Sequence, residues 1–230
     1  MTDSAGLELQ SGLLYVHKFK IYGGKPMGEI HHVEKMTDNR FVNLYHVDAT
    51  SVHNTPVSYY VASRAKSVEE LKLKTGKNTP DGVIIYSIYG EKKDRVVLIR
   101  QYRYTLGGYI YEFPAGLVEP GEDFHQAAVR EMKEETGLDL EPLQVDEAYE
   151  KPYFTTIGMT DESCATVYGY ASGEISKAAQ EASEEIEIVL ADREEVRRIL
   201  KEERVAIMCA YMLMHFLEDE EPFGFLKKEL

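Results

Sequence analysis

The sequence has little cysteine, a deficit of positive charge and no apolar run long enough to cross a membrane. Two cysteines occur among 230 residues, and 26 lysines and arginines stand against 40 aspartates and glutamates. The net charge of -14 argues against binding a nucleic-acid backbone through a broad basic surface. It leaves a phosphate substrate open, because a bound cation and a few arginines can reverse the charge locally.

The two cysteines and the chain's start bear on the compartment. Cys164 and Cys209 lie far apart and lack the spacing of metal ligands, which favours reduced, partly buried thiols. The longest apolar stretch, 205–217, is too short to span a bilayer. The first residues have neither the basic region nor the apolar core of a signal peptide. We therefore expect a cytoplasmic protein.

Residues 116–138 carry the most informative pattern in the chain. They follow the spacing G-x5-E-x7-R-E-hydrophobic-x-E-E-x-G-hydrophobic, and all nine specified positions are filled. Between 122 and 136 there is no glycine or proline, which predicts a helix. Glu122 and Asp123 fall in its first turn, where the helix dipole favours negative charge, and Gly137 marks its end.

The predicted helix places carboxylates beside an apolar stripe. Phe124, Ala128 and Met132 recur at helical spacing and predict the buried face. Glu131 and Glu135 are also four residues apart, near the edge of that stripe. Carboxylates there are costly unless they are paired, and a hard cation such as Mg²⁺ takes such oxygen ligands and bridges to phosphate.

A simpler interpretation of the acidic cluster remains open. Arg130 and Glu134 have the spacing of an ion pair on an exposed helix face. For Glu134 this is as good an interpretation as a metal ligand. It does not account for the glycine-containing turn before the helix.

The remaining pattern predicts strands on both sides of this helix. An N-terminal β-region, 1–78, precedes a main domain, 79–230, and the whole is predicted to be an α+β fold. Predicted strands lie near 13–21, 29–34, 41–47, 57–61, 82–88, 95–99, 109–113, 142–149, 163–170 and 184–190, with short helical turns near 67–74 and helices from Asp192 and over 205–218. The last helix is apolar nearly all round, which predicts burial, with His215 as a packed histidine.

The segment 116–138 resembles the signature of the Nudix hydrolases. The resemblance implies an α/β/α sandwich around a mixed sheet, and Mg²⁺- or Mn²⁺-dependent hydrolysis of a nucleoside diphosphate linked to another group, with more than one ion. It implies Glu131 and Glu135 as principal metal ligands, with the carbonyl of Ala115 as a third. Glu134 would be an auxiliary ligand or the partner of Arg130, both with catalytic roles, and Glu122 would lie in the outer shell.

Flanking residues resemble the ADP-ribose pyrophosphatases within that family. Gln101-Tyr-Arg103 and Glu112-Phe-Pro-Ala-Gly116 are similar to two of their segments. The resemblance implies that Arg103 holds a phosphate oxygen, since its planar fork suits that task. It implies that Glu112 binds a ribose hydroxyl, or a metal through water.

A loop after the predicted helix carries the third similarity. Pro152 and the run Gly158-Met-Thr-Asp-Glu162 match the subfamily, but the interval between them is longer than in relatives. The resemblance implies that Glu162 is the general base, on a loop that can close. The alternative is that Asp161 and Glu162 form a solvated turn.

The N-terminal β-region is also typical of this subfamily, whose members form homodimers. The resemblance implies that the region packs on the partner subunit and lines its site. Tyr60 and Arg64 would then contact the adenine and the terminal ribose or phosphate of the substrate. Ordinary packing of tyrosines in an edge strand is the alternative.

The sequence therefore predicts a homodimeric pyrophosphatase that converts ADP-ribose, or a similar nucleoside diphosphate sugar, to a nucleoside monophosphate and a sugar phosphate. The alternatives are a Nudix enzyme for UDP-sugars, NADH or dinucleoside polyphosphates, and a non-catalytic nucleotide-sugar sensor. The sensor is disfavoured because the motif is complete and no helix-turn-helix is evident. Neither nucleic acid nor membrane is an expected partner.

Overall fold

The structure is a computed structural model that describes residues 13–16, 19–22, 25–180 and 185–227, with side chains from residue 27 onward. Parts of the predicted strands at 13–21 and 184–190 therefore lie outside the described residues. The chain divides into two compact units. One contains Met1–Asn78 with Phe154–Glu162, and the other contains Thr79–Tyr153 with Ser163–Leu230.

In its described residues, the N-terminal unit contains two small antiparallel sheets, in the region where the sequence predicts strands. The strands are β1 (Leu13–Val16), β2 (Phe19–Tyr22), β3 (Lys25–Pro26), β4 (Glu29–Lys35), β5 (Asn43–Thr50) and β6 (Pro56–Ser63), followed by a 3-10 turn (Val68–Glu70) and α1 (Lys72–Thr75). Strand β5 lies between β4 and β6. Tyr45 on β5 and Leu71 before α1 are fully buried in a small core with Val33 and Val47.

The larger unit is built on a mixed sheet. Its eight strands in the described residues are β7 (Gly82–Tyr89), β8 (Arg95–Arg103), β9 (Gly108–Glu112), β10 (Ala115–Leu117), β11 (Asp139–Pro142), β12 (Tyr153–Phe154), β13 (Ser163–Ser172) and β14 (Ile186–Ala191). The central order is β11-β13-β7-β8-β14. Strands β13 and β7 run parallel, whereas β7 and β8 form an antiparallel hairpin.

Four helices and a 3-10 turn belong to this unit. They are α2 (Phe124–Thr136), α3 (Glu147–Glu150), α4 (Arg193–Glu202), α5 (Ile207–Glu218) and the 3-10 turn Gly224–Lys227. None of the helices in the described part of the chain is both long enough and apolar enough to cross a membrane.

Alternating side chains of the central strands fill two cores. Val83 and Ile85 of β7 pack with Ala128 and Met132 of α2 on one face. Their neighbours Tyr86 and Ile88 belong to the opposite core, which contains buried residues of α4 and α5. Because strand side chains alternate with a period of two, one strand supplies both cores. The predicted α+β sandwich with a mixed sheet is confirmed.

Two local predictions are wrong. The strand predicted at 142–149 is split into the end of β11 and the helix α3, because the Asp146 side chain accepts a hydrogen bond from the Ala148 N–H at 2.9 Å and caps that helix. Helix α5 is buried on one face only. Ile207 and Tyr211 are 72% and 62% exposed, and His215 has a side chain that is 56% exposed, so it is not a packed core histidine.

Candidate active site

The strand before α2 passes unusually close to that helix at a glycine. An added Cβ at Gly116 would lie 1.8 Å from the side-chain carboxyl carbon of Glu131. The space that a larger residue would need is therefore taken by the Glu131 side chain. Strand β10 holds this position by pairing Gly116 with Val83 of β7. The first glycine of the motif thus admits the Glu131 carboxylate to the turn.

Helix α2 has strong signals at both ends. The Asp123 carboxylate accepts hydrogen bonds from the N–H groups of His125 and Gln126, at 3.0 and 3.4 Å. Asp123 is therefore the N-cap rather than a first-turn residue. Gly137 closes the helix with φ of 75°, in the left-handed region. The helix that carries the motif carboxylates is thus fixed at both ends.

Arg130 lies at the centre of the acidic cluster. Its guanidinium donates to both Glu122 oxygens, each at 3.0 Å, and to Glu131 at 2.7 Å and Glu134 at 3.1 Å. It also donates to the carbonyl oxygen of Leu117 at 3.0 Å. The hydrogen bond to Glu122 first, and then the hydrogen bond to Glu131, raise the pKa of Arg130.

Glu122 lies outside the helix and ties the preceding turn to it. Its carboxylate accepts the Glu119 N–H at 3.0 Å as well as the Arg130 guanidinium. The Arg130 bonds first, and the Glu119 N–H second, lower the pKa of Glu122 below its ordinary value. The geometry gives Glu122 an organising role around Arg130.

Glu135 occupies the most secluded carboxylate position of the helix. Its residue is 3% exposed, and its carboxylate accepts the backbone N–H of Ala115 at 3.0 Å. Its own backbone carbonyl accepts from the Gln180 side chain at 2.7 Å. A buried carboxylate is costly unless it is satisfied, so this side chain needs both the strand before α2 and further polar or cationic partners.

The donor set of this cluster fits a hard divalent cation. Glu131, Glu134 and Glu135 supply carboxylate oxygens, and the close approach at Gly116 brings a backbone turn against Glu131. Within the described ranges, no three acidic, histidine or cysteine side chains converge as a formed metal site. Arg130 binds Glu131 and Glu134 through the same terminal nitrogen.

Arg103 and Glu112 are paired with each other on neighbouring strands. The Arg103 Nε donates to a Glu112 oxygen at 2.7 Å. The Arg103 side chain is 44% exposed and that of Glu112 is 20% exposed. The structure brings these two predicted substrate residues together through their long side chains, because the antiparallel register places Glu112 opposite Ile99 and Arg103 opposite Gly108. Gln101, two residues before Arg103, is buried, and its side-chain oxygen lacks a hydrogen-bond partner among the described residues.

The other predicted residues belong to the N-terminal unit. The Arg64 Nε and Nη2 donate to the same Glu162 oxygen at 3.0 and 2.9 Å. Tyr60 is 53% exposed on β6, with its ring centroid 4.9 Å from that of His46. The structure therefore pairs Arg64 with Glu162 and does not bring Tyr60 into that pair.

Some contacts of these residues escaped sequence reasoning. Thr155 donates its hydroxyl to the second Glu162 oxygen at 3.2 Å. The Asp123 cap and the Thr155 bond both come from short polar side chains, which favour such local bonds. Asp123 has a detectable signal, since it directly precedes the helical pattern. Thr155 has no comparable signal in the sequence, because its contact with Glu162 forms only when the loop folds.

The comparisons with known proteins agree with this geometry. The NUDIX domain family matches residues 78–210, more than half of the chain. The methanol dehydrogenase activator of Bacillus methanolicus is 27% identical over 67% of this chain and 84% of its own length. The ADP-ribose pyrophosphatase of Bacillus subtilis (strain 168) is 28% identical over 60% of this chain and 76% of its own length.

A solved structure described as an ADP compounds hydrolase has the same fold. It covers 86% of this chain and 86% of its own, with a TM-score of 0.52 and 21% identity. The motif, the sandwich and the family match all point to the same assignment. The chain belongs to the Nudix family and is, as the motif predicts, a hydrolase of pyrophosphate bonds.

Proposed function

We propose that this protein is a divalent-metal-dependent pyrophosphatase for ADP-ribose or a closely related nucleoside diphosphate sugar. The products would be a nucleoside monophosphate and a sugar phosphate. The observation that carries the proposal is the close approach at Gly116, which admits the Glu131 carboxylate to the turn, together with the buried Glu135 four residues further along α2. The similarity to the ADP-ribose pyrophosphatase of Bacillus subtilis supports the substrate class.

Glu131 and Glu135 would hold Mg²⁺ or Mn²⁺, with the Ala115 carbonyl, Glu134 and Glu122 as additional ligands or outer-shell groups, and we propose more than one ion. A bound divalent ion supplies positive charge that stabilises the developing charge on phosphate oxygens. Arg130 is the group that orders the carboxylates before metal binds.

Arg103 would bind a phosphate oxygen of the substrate. Its side chain is 44% exposed, and within the described part of the chain Nε is the guanidinium donor that is hydrogen-bonded, to Glu112. A planar guanidinium binds phosphate through paired N–H donors. Glu112, held by Arg103, is placed to orient it and could also accept a ribose hydroxyl. This pair supports a substrate with both pyrophosphate and ribose.

The proposed reaction is attack of water on one phosphorus of the pyrophosphate. The new P–O bond forms as the bridging P–O bond breaks, and the bridging oxygen leaves with the other phosphate. The water proton passes to the Glu162 carboxylate, our proposed general base. Tyr60 is a further proposed substrate residue, whereas Arg64, which the sequence also predicts to bind substrate, donates to Glu162. We propose that the protein is a cytoplasmic homodimer.

A substrate panel tests the proposal. Purified full-length protein is incubated with ADP-ribose, UDP-glucose, NADH, a dinucleoside polyphosphate and oxidised dGTP, with Mg²⁺, Mn²⁺ or a chelator. We expect metal-dependent conversion of ADP-ribose to AMP and ribose 5-phosphate, with the highest kcat/KM of the panel. Preference for another member by tenfold or more would reject the substrate assignment. Tight binding of ADP-ribose without turnover would favour the sensor.

The dimer is tested separately, by light scattering on the eluting protein. A mass twice that of the 26.2 kDa chain is the expected result. A monomer at micromolar concentration would reject the homodimer and the proposed role of the N-terminal region in a partner's site. The hydrolase assignment would be unaffected by that outcome.

A further inference from the structure

The Glu162 carboxylate is held on both oxygens. One oxygen accepts two N–H groups of Arg64, and the other accepts the Thr155 hydroxyl. About one third of each charged side chain is exposed, 35% for Arg64 and 31% for Glu162. A charge-assisted pair with two donors on one oxygen has a more defined orientation than a single contact between flexible chains.

The loop that carries Glu162 is itself closed by hydrogen bonds. The Thr155 N–H donates to the Glu162 carbonyl at 3.1 Å. The Glu162 N–H donates to the Thr160 hydroxyl at 2.8 Å. These bonds restrain the backbone on both sides of the carboxylate, and the bonds from Arg64 and Thr155 to the Glu162 side chain add to this restraint of the loop.

The same loop is docked on strand β6. The Ala62 N–H donates to the Met159 carbonyl at 2.9 Å, and the Tyr59 hydroxyl donates to the Gly158 carbonyl at 2.5 Å. Arg64 follows this strand directly. The strand thus holds the loop by its backbone and presents the guanidinium to the carboxylate, within one compact unit.

We propose that Arg64 is a positioning residue that orients the Glu162 carboxylate, and that its main contribution to turnover passes through Glu162 rather than through contact with substrate. The proposal rests on the proposed function, in which Glu162 takes the proton from water. Two of the guanidinium's N–H groups are already used on one Glu162 oxygen. Thr155 provides the matching restraint on the other oxygen.

A double-mutant cycle tests this assignment. Arg64→Gln should lower kcat for ADP-ribose about tenfold and leave KM within about twofold, because orientation of the base affects the chemical step. In a Glu162→Gln background, the same change should cost less than about twofold, since the group it orients is gone. Thr155→Val should lower kcat in the same direction, and Arg64→Lys should recover part of the loss.

The contrary results are equally specific. A rise in KM of similar size in both backgrounds would make Arg64 a substrate contact and overturn the proposal. Equal losses of kcat in both backgrounds would show that Arg64 acts independently of Glu162, with the same consequence. The matched control is Arg40→Gln, in the same unit, where the guanidinium stacks on Phe41 at 4.8 Å; it should leave both constants unchanged.

A second measurement separates this proposal from the proposed function. Hydrogen exchange of the 154–162 amides is compared in the native protein, Arg64→Gln and Arg40→Gln without substrate. Faster exchange in Arg64→Gln but not in Arg40→Gln would support the positioning role, even if no substrate of the panel is hydrolysed. A lack of hydrolysis would then contradict only the proposed function. Unchanged exchange, in a protein that does not turn over, would overturn the positioning role. Full turnover by Glu162→Gln would also overturn it, with the pyrophosphatase assignment left standing.

Discussion

The buried carboxylate of Glu135, in the last turn of α2, accepts the backbone N–H of Ala115 at 3.0 Å. The two residues are 20 positions apart in sequence, and their hydrogen bond holds strand β10 against helix α2. It places the Ala115 backbone beside a metal-ligand candidate. One side chain thereby has a structural bond and a proposed catalytic role, and the two can be separated by substitution.

Glu135→Gln should retain the fold and lose activity. The glutamine side-chain oxygen can still accept the Ala115 N–H, but the negative charge that would bind Mg²⁺ is removed. We expect kcat for ADP-ribose to fall about 10³-fold, since several kcal/mol of transition-state stabilisation are lost. Circular dichroism and thermal unfolding check the fold.

The matched control is Glu187→Gln, which removes a sheet-surface carboxylate paired with Arg100 at 3.1 Å. Its rate should equal that of the native protein. Near-normal turnover by Glu135→Gln with Mg²⁺ would show that the metal assignment is wrong.

Gly116→Ala should disturb the same site from the other side. The new Cβ would lie 1.8 Å from the Glu131 carboxyl carbon, so the Glu131 side chain must move away from the turn. We expect about tenfold weaker activation by Mg²⁺, measured as the metal concentration for half-maximal rate. Gly224→Ala is the control, because its Cβ would meet only Glu221 at 4.0 Å. An unchanged metal requirement in Gly116→Ala would show that the close approach at Gly116 does not position Glu131 for metal binding.

Asp123→Ala should destabilise the protein through the start of α2. The carboxylate accepts two backbone N–H groups there, and loss of such a cap typically costs about 1 kcal/mol. Urea unfolding at neutral pH measures the change, and Asp123→Asn should retain most of the stability because the amide oxygen can still accept. Equal losses in the two variants would point to the charge rather than the cap.

Local signals in the sequence predict the motif helix and its surroundings well. The glycine-free interval, the apolar spacing and Gly137 are all contained within a few turns of chain, so they specify α2 without knowledge of the fold. The dense β-branched apolar runs at β7 and β8 similarly predict strands buried on both faces. The cap at Asp146 is equally local. The strand predicted across it is wrong because the prediction gave more weight to the alternating pattern than to this capping residue.

Contacts between residues far apart in the sequence determine the remaining features, and the local sequence pattern could not predict them. The Tyr59 hydroxyl and Gly158 carbonyl are 99 residues apart in sequence, and their contact groups the loop with the N-terminal strands. The pairing of Arg103 with Glu112 also depends on strand register rather than spacing. The exposed face of α5 depends on which elements cover the helix, and its own composition contains no such information.

Alkaline pH should destabilise the protein partly through Tyr168, which is 6% exposed. Burial, with a smaller effect from Tyr153, raises the pKa of the Tyr168 hydroxyl from 10.0 to about 12. The raised value means that folding favours the neutral phenol, so this contribution is complete below pH 10.0 and is lost as pH rises toward about 12. At about pH 11 the loss from this residue should be about 1 kcal/mol.

Tyr168→Phe isolates that contribution. The variant loses the hydroxyl that donates to the Tyr149 carbonyl at 3.3 Å, so it should be less stable at neutral pH by about 1 kcal/mol or less. Between about pH 9 and pH 11 its free energy of unfolding should then fall by about 1 kcal/mol less than that of the native protein. Urea unfolding at both pH values measures this difference. Tyr104→Phe, at a residue that is 85% exposed, should show the native pH dependence. Parallel curves for the native protein and Tyr168→Phe would contradict the assignment, because a phenol that ionises equally in both states contributes no pH dependence to stability.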